Sequence, residues 1–502
     1  MTILCIIYVL SEKKQHGSGV FMKFKGFKGA LVVMIGLGQM TGLSMAQTAC
    51  QDDLNCKSSW VGQDSKAMNR LFAFADDYKA FIAKARTELS FVEEAIKFAG
   101  KYNFKPLKSN SPMTAGARYY EVNRDRAISF IVIGKAPLDK GINVIGAHID
   151  SPRLELKGRP LYSNGEFALF QTNFHGGIKN YQWTNIPLAL MGRVDKKDGT
   201  TVAINVGLNP DDPVFVIADL SPHTDRGYGD KKVKAIIKKE DLDPIVGHIP
   251  NISGNNVGAR VMAYLTATYG ISRADLVSAE LALVPAYAPR DLGFDRGLIA
   301  AYGQDDRLAS YAAMRAISGL KAPQKTAMAY LVDNEEVGNR NNTGAKSAYF
   351  SSFVAGLLSR KLGTDYREVA LKQTLRNSKM VSIDVNPGIN PKNPGVWEAG
   401  NAPKLGYGVN IKLYGQGNSA NSEYIAWTRN YLDKANVPWQ TTTYKVGVAG
   451  GGTIGGEFSR QDMEVIDLGV PVLSIHTPYS ISSKIDLYSL YRASRAFFNT
   501  GL

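Results

Sequence analysis

Four apolar runs of this chain end in side chains that can hold a divalent cation. His148 follows Ile142-Asn143-Val144-Ile145-Gly146-Ala147, and Glu335 and Glu336 follow Tyr330-Leu331-Val332-Asp333-Asn334. Asp384 follows Met380-Val381-Ser382-Ile383, and His476 follows Val472-Leu473-Ser474-Ile475. Imidazole nitrogens and carboxylate oxygens are the ligand atoms of zinc and its neighbours. An apolar run closed by an ionisable residue reads as a buried strand whose carboxyl end reaches solvent. In open α/β sheets that rim is where ligands sit. Several such ends, each carrying His, Asp or Glu, point to one shared metal site.

The local patterns add detail. In an extended chain His148 and Asp150 point to the same side. A carboxylate beside an imidazole fixes the tautomer of a ligand histidine and raises its basicity. Asp305-Asp306-Arg307 opens a helix, where free N–H groups and the dipole stabilise carboxylates. Glu335 and Glu336 are costly if buried unpaired. A divalent cation removes that cost for one and leaves the other to accept a proton from the water that the metal activates. Taken singly, each group has an ordinary reading: a satisfied strand-end histidine, a helix cap, a solvated acidic turn. Together they favour metal, because the chain has only six histidines and two of them close apolar runs.

The elements that must position these groups follow from periodicity. Residues 66–100 read as two amphipathic helices with Gly100 as a C-cap, and 117–147 as three strands. From 153 to 292 the chain is rich in Gly, Pro, Asn and short β-like runs, with one helical stretch at 255–269. After 293, strand and helix alternate: helices at 306–320, 344–361, 422–435 and 485–498, strands at 326–333, 379–384 and 470–475. The predicted fold is α/β, a mostly parallel central sheet flanked by helices and interrupted by an inserted β-rich domain. The expected boundaries are 52–152 and 293–502 for the catalytic domain and 153–292 for the insert.

Residues 1–46 stand apart. Met22-Lys23-Phe24-Lys25-Gly26-Phe27-Lys28 is basic, 29–43 is apolar and uncharged, and Ser44-Met45-Ala46 offers small residues for cleavage. This is a secretory signal pattern preceded by an upstream extension. It predicts a periplasmic or secreted protein, with a cytoplasmic one as the alternative, and no stable membrane insertion after cleavage. Of three cysteines, Cys50 and Cys56 remain after such a cut and can pair locally in an oxidising compartment. The net charge of +14 falls by four without residues 1–46, and the remaining Lys and Arg are dispersed. Without a basic block or aromatic stripe, no nucleic-acid partner is expected.

From about residue 65 to the C-terminus the chain resembles the aspartyl aminopeptidase family of two-zinc metalloaminopeptidases, its bacterial branch in particular. The resemblance rests on Gly-Ala-His-Ile-Asp-Ser-Pro at 146–152, Asp-Asp-Arg at 305–307 and Asp-Asn-Glu-Glu-Val-Gly at 333–338. It continues in Ser-Ile-Asp at 382–384, Gly-Gly-Gly-Thr-Ile-Gly at 450–455 and Leu-Ser-Ile-His at 473–476. It implies release of N-terminal residues, acidic ones among them, from peptide substrates. It implies two Zn2+ per subunit, with Co2+ or Mn2+ able to substitute. Asp305 would bridge them, His148 and Asp384 completing one site and Glu336 and His476 the other. Glu335 would be the general base and Asp150 would orient His148. A non-proline cis peptide after Asp305 is also implied. The insert would be a dimerisation domain whose His223 enters a neighbouring subunit's active site to bind substrate or steady the oxyanion. Lys412 would face a substrate carboxylate, and the assembly would be a dimer-based homo-oligomer, a dodecamer.

The chain departs from the family pattern at Pro387, where many relatives have histidine, and at Tyr479-Ser480, where Arg-Glu is common. Neither touches a metal ligand; both touch the expected substrate contacts. The glycine run at 447–453 lacks the Lys-Ser/Thr ending of a phosphate loop and reads as a close approach of backbone to substrate, entering a helix near Thr453. Two other functions compete: a two-metal amidohydrolase acting on N-acyl amino acids, which needs no free α-amine, and a non-catalytic scaffold, which predicts a missing ligand or base that is not missing here.

Overall fold

The computed structural model describes residues 57–501, apart from 252, 253, 255, 415–418 and 449. The signal-like segment at 22–46, Cys50 and Cys56 lie outside the described residues. Ser58–Leu502 is one compact unit.

Two amphipathic helices come first. Ser65–Ile82 starts at Asp64, which accepts the Ala67 N–H at 2.6 Å, and buries Leu71, Phe74, Tyr78 and Ile82. Glu88–Lys101 starts at Thr87, which caps it reciprocally with Ser90. This helix runs past Gly100 and is capped by Tyr102 at φ −107°. The chain leaves through Asn103 at φ +59°, and Phe104 N–H reaches Ala99 O at 2.9 Å, so Asn103 and not Gly100 is the left-handed residue that ends this helix.

Among the described residues nine strands form the main sheet. Their order is Lys105–Pro106, Arg118–Asn123, Ala127–Val132, Thr326–Val332, Ile142–His148, Lys379–Ile383, Glu464–Gly469, Val409–Lys412 and Trp439–Thr442. From Thr326–Val332 to Glu464–Gly469 neighbours pair parallel. Ala127–Val132 and Val409–Lys412 join this centre antiparallel on either side. Val332 is level with His148, and Ser382 with Gly146. The central strands therefore leave the sheet at one rim.

Both faces are covered, which is why these strands read as unbroken apolar runs. Side chains alternate between the two cores. Ile145, Ala147, Ala329 and Leu331 pack with the helices Ser65–Ile82, Gln304–Ser318 and Lys484–Phe498. Ile142, Val144, Met328 and Tyr330 pack with Tyr349–Leu362 and Glu368–Arg376. Gln304–Ser318 is buried at every position except Arg315. Its alanines at 309, 312, 313 and 316 let it lie close to the sheet.

A second, six-stranded sheet is antiparallel throughout: Thr201–Val206, Leu188–Asp195, Ala279–Pro285, Arg153–Asn164, Phe167–His175 and Ile245–Gly247. It has its own core around Trp183, Leu188 and Leu283 and carries the helix Val257–Tyr269. A third sheet holds Arg290–Leu292, Leu298–Ala301, Ser480–Ser483, Pro471–Leu473 and Asn386–Pro387. The run expected as a strand at 470–475 thus lies in this small sheet and stops at Leu473, because Ser474 and His476 adopt φ of +56° and +61°. Glu464–Gly469, which the periodicity does not reveal, takes the place beside Lys379–Ile383 in the main sheet. No helix among the described residues is long and apolar enough to cross a membrane.

Candidate metal centre

His148 ends its strand level with Val332, and Ile149 N–H donates to the Val332 carbonyl at 2.8 Å. The chain after Val332 turns at once, with Asn334 at φ +62°, so Glu335 and Glu336 fold back over the rim beside His148. Asp384 follows Ile383, its N–H bonded to Leu468 O at 3.0 Å. Asp305 comes from the start of the buried helix, which is tied to the His148 segment. Ser310 Oγ donates to His148 O at 2.7 Å, Arg307 Nε to Ile149 O at 3.0 Å, and Ser151 Oγ to Asp305 O. Gly303, at φ +77°, makes this approach; a Cβ there would lie 1.9 Å from Arg307 Nη1. The Asp305–Asp306 peptide bond is cis.

The structure brings the five expected ligands together. His148, Asp305 and Asp384 form one group and Asp305, Glu336 and His476 another, with the ligand atoms of each group within 4.8 Å of one another. His148 Nε2 is 3.2 Å from Asp305 Oδ1 and 3.7 Å from Asp384 Oδ1. His476 Nε2 is 3.1 Å from Asp305 Oδ2 and 3.3 Å from Glu336 Oε2. Each oxygen of Asp305 thus faces a different histidine. The first group is buried, whereas the His476 side chain is 36% exposed. Glu335 Oε2 stands 3.9 Å from His148 Nε2, its side chain 17% exposed.

Asp150 is wholly buried and lies beneath this cluster. Its Oδ1 is 3.2 Å from His148 Nδ1 and accepts the Glu335 N–H at 3.1 Å. Its Oδ2 accepts the Glu336 N–H at 3.1 Å. Two further residues were not foreseen. His175 Nε2 approaches Asp150 Oδ2 at 2.8 Å, and Gly177 O lies 2.9 Å from His476 Nδ1. The available signal was a lone histidine closing an alternating run before Gly176-Gly177, weak by itself.

The electrostatics show the charges that a bound cation would neutralise. Two like charges about 4 Å apart repel by about 4 kcal/mol at an effective dielectric of 20. Four carboxylates crowd this rim. Burial raises the Glu335 pKa to about 7; His148 opposes the rise, and Asp384, Asp150 and Asp305 add to it. Burial and the Asp305 charge push Glu336 well above the usual range, and its Oε1 is buried without a protein partner. Burial works against a charged His476, but the hydrogen bond to Asp305 and the charges of Asp305 and Glu336 prevail and hold its pKa near 10. Protons stand where divalent cations would neutralise the same charges. The donor set, imidazole and carboxylate only, fits zinc.

Asp306 is not a helix cap. It is fully buried with both side-chain oxygens unpartnered, and burial with the charges of Asp384 and Asp305 keeps its carboxyl protonated far above the usual range against the pull of His148. Lys412 Nζ sits 4.0 Å from Asp384 Oδ2, its side chain 9% exposed. His223 is not brought into the cluster; it lies in a wholly exposed run from 218 to 235.

A mixed sheet with a parallel centre, paired histidine–carboxylate clusters at the carboxyl rim of that centre, and a free glutamate beside them define a metal-dependent hydrolase. Residues 81–498 match the family model described as "Aminopeptidase I zinc metalloprotease (M18)". A probable M18 family aminopeptidase 1 from Clostridium acetobutylicum is 41% identical over 457 residues, covering 88% of this chain and 98% of that protein. The crystal structure of an M18 aminopeptidase from Thermotoga maritima superposes with a TM-score of 0.84 at 38% identity, over 88% of this chain and 98% of that one. A dodecamer structure of S. cerevisiae mApe1 shares the fold at a TM-score of 0.70 and 23% identity, over 86% of this chain and 97% of that one. The chain belongs to the M18 family of zinc metalloaminopeptidases. It is a metal-dependent enzyme that hydrolyses peptide bonds at the N-terminus.

Proposed function

We propose that His148, Asp305 and Asp384 hold one zinc ion and that Asp305, Glu336 and His476 hold a second. The observation that carries this is the position of Asp305, with one oxygen toward each histidine. When bound, the ions polarise the scissile carbonyl and acidify the attacking water. Glu335 accepts the water proton and delivers it to the leaving amine. Asp150 holds His148 in one tautomer and, through two N–H bonds, fixes the backbone that carries Glu335 and Glu336. The open His476 side of the centre receives the free α-amine of the substrate, which limits cleavage to the first residue.

Acidic first residues would need Lys412 to leave Asp384. Its burial beside that carboxylate supports turnover of neutral first residues instead. We assign Ile245–Gly247 and the rest of the second sheet, in the 153–292 segment, to subunit contact. The exposed 218–235 run, with Leu220, Tyr228 and Val233 uncovered, supports delivery of His223 to a neighbouring copy. The dodecamer formed by the yeast neighbour supports a homo-oligomer. Export to the periplasm or beyond rests on the basic, apolar and small-residue pattern at 22–46.

The test is a panel of amino-acid anilides, neutral and acidic, each with a free or acetylated α-amine, assayed with zinc and after chelation. Cleavage of free-amine anilides only, abolished by chelation and restored by zinc, is expected. Equal turnover of the acetylated forms would move the reading to an N-acyl amidohydrolase.

A further inference from the structure

We infer that the turn His175-Gly176-Gly177, which leaves the second sheet, is a positioning element of the metal centre that secures the outer nitrogens of both ligand histidines. It does so by two routes. Gly177 O takes the Nδ1–H of His476 directly, at 2.9 Å. His175 acts one step removed: its Nε2 meets Asp150 Oδ2 at 2.8 Å, while Asp150 Oδ1 faces His148 Nδ1 at 3.2 Å. Ligand histidines are oriented by the group on their other nitrogen, and losing that group costs about 10–100-fold in activity or metal affinity.

The turn is itself anchored. His175 Nδ1 is 3.1 Å from Glu155 Oε1, Glu155 is 2.9 Å from Arg153, and Arg153 is 3.0 Å from Glu88 in the catalytic part of the chain. His175, Arg153 and Glu88 are 5%, 4% and 3% exposed. Gly176, at φ +73°, lets the turn lie on Glu336; a Cβ there would stand 3.1 Å from Glu336 Cβ and Oε2. The anchoring groups line a cavity of about 380 Å³, so loss of the imidazole would admit water to Asp150. A buried ion-pair network is weak grounds for stability alone. Its termination on Asp150 gives this one a task in the reaction: the second sheet sets the aim of the centre as well as meeting other subunits.

The inference rests on the two-cation reading. The experiment compares His175→Gln, whose amide nitrogen can reach Asp150 as Nε2 does, with His175→Asn and His175→Ala, which cannot. Zinc content is measured first on the wild-type protein, then kcat and KM for an anilide, thermal unfolding, and the visible spectrum of the cobalt-substituted enzyme. Expected are a kcat near wild type for His175→Gln and a fall of about 10–100-fold for His175→Asn and His175→Ala with KM little changed, together with an altered cobalt spectrum in those two. Equal kcat in Gln and Asn variants, or an unchanged spectrum in His175→Asn, would reduce the turn to packing and overturn the inference alone. A wild type without bound zinc would overturn the two-cation reading and the inference together. Should His175→Ala fail to fold, the Gln–Asn comparison decides.

Discussion

Asp150 Oδ1 accepts the backbone N–H of Glu335 at 3.1 Å across 185 residues of sequence. One buried carboxylate thereby fixes the histidine of one ligand group and the backbone of the acidic pair. Asn at this position keeps the shape but turns one acceptor into a donor facing donors. For Asp150→Asn we expect kcat to fall by about 10–100-fold with a smaller change in KM. Steady-state kinetics on zinc-loaded protein measures this; wild-type kcat would show that Asp150 orients nothing.

Glu335 is the carboxylate of this rim that the two ligand groups leave unused. Glu335→Gln keeps the shape and removes the proton acceptor. General-base catalysis contributes about 10²–10⁴-fold, so kcat is expected to drop within that range while zinc content stays at the wild-type level. Metal analysis beside kinetics makes the separation. Full turnover with normal zinc would exclude Glu335 as the base.

Asp305 belongs to both ligand groups, Asp384 and Glu336 to one each. Asp305→Ala is therefore expected to lose both zinc ions, and Asp384→Ala or Glu336→Ala one. The group containing His476 is the more exposed, so a chelator should strip it first from the wild type. Metal-to-protein ratios after gel filtration decide this. Equal zinc loss in all three variants would contradict a shared ligand.

How much of this was legible beforehand depends on which strand carries each residue. His148, Glu335, Glu336 and Asp384 were readable because parallel strands covered on both faces leave unbroken apolar runs that end in polar residues. Glu464–Gly469 was not, although it lies beside Lys379–Ile383 in the main sheet, because its Asp467 interrupts the run, and Gly469 reads as a loop residue where it is needed to pass the Asp384 carbonyl. Asp305 read as a helix cap until the family resemblance assigned it a bridge. His476 closes an apolar run in the sequence, but it follows a short strand of the third sheet through left-handed backbone and not a strand of the main sheet. His175 was illegible because its partners Asp150 and Glu155 become neighbours only when Phe167–His175 pairs with Arg153–Asn164.

Zinc binding should release protons. Without a cation, burial disfavours the imidazolium of His476, but Asp305 and Glu336 hold its pKa near 10; His148 is likewise held well above its usual range, its bonds to Asp150 and Asp305 outweighing burial. Both rings are therefore charged at neutral pH, and a ligand imidazole must be neutral. The sign follows: the proton competes with the metal below the raised pKa, so zinc affinity rises as pH rises toward 10 and falls in acid. Calorimetric titration of metal-free enzyme in buffers of different ionisation enthalpy should show net proton release. A heat independent of the buffer would contradict the charged state of both histidines.

Ile145 tests what holds the rim in place. It is fully buried in the central strand, opposite Ala329 on one side and Val381 on the other. Its side chain faces the core shared with the buried helix that carries Asp305. Ile145→Ala removes that packing and leaves a cavity between the sheet and the buried helix. We expect a loss of about 2–5 kcal/mol in chemical denaturation. Val369→Ala, at a site 70% exposed, should change stability by no more than about 0.5 kcal/mol. The folded fraction of Ile145→Ala should keep its zinc, because no ligand contact is removed. Equal stability in the two variants would mean that the sheet, with the ligands at its rim, is held by something other than the packing of its central strand.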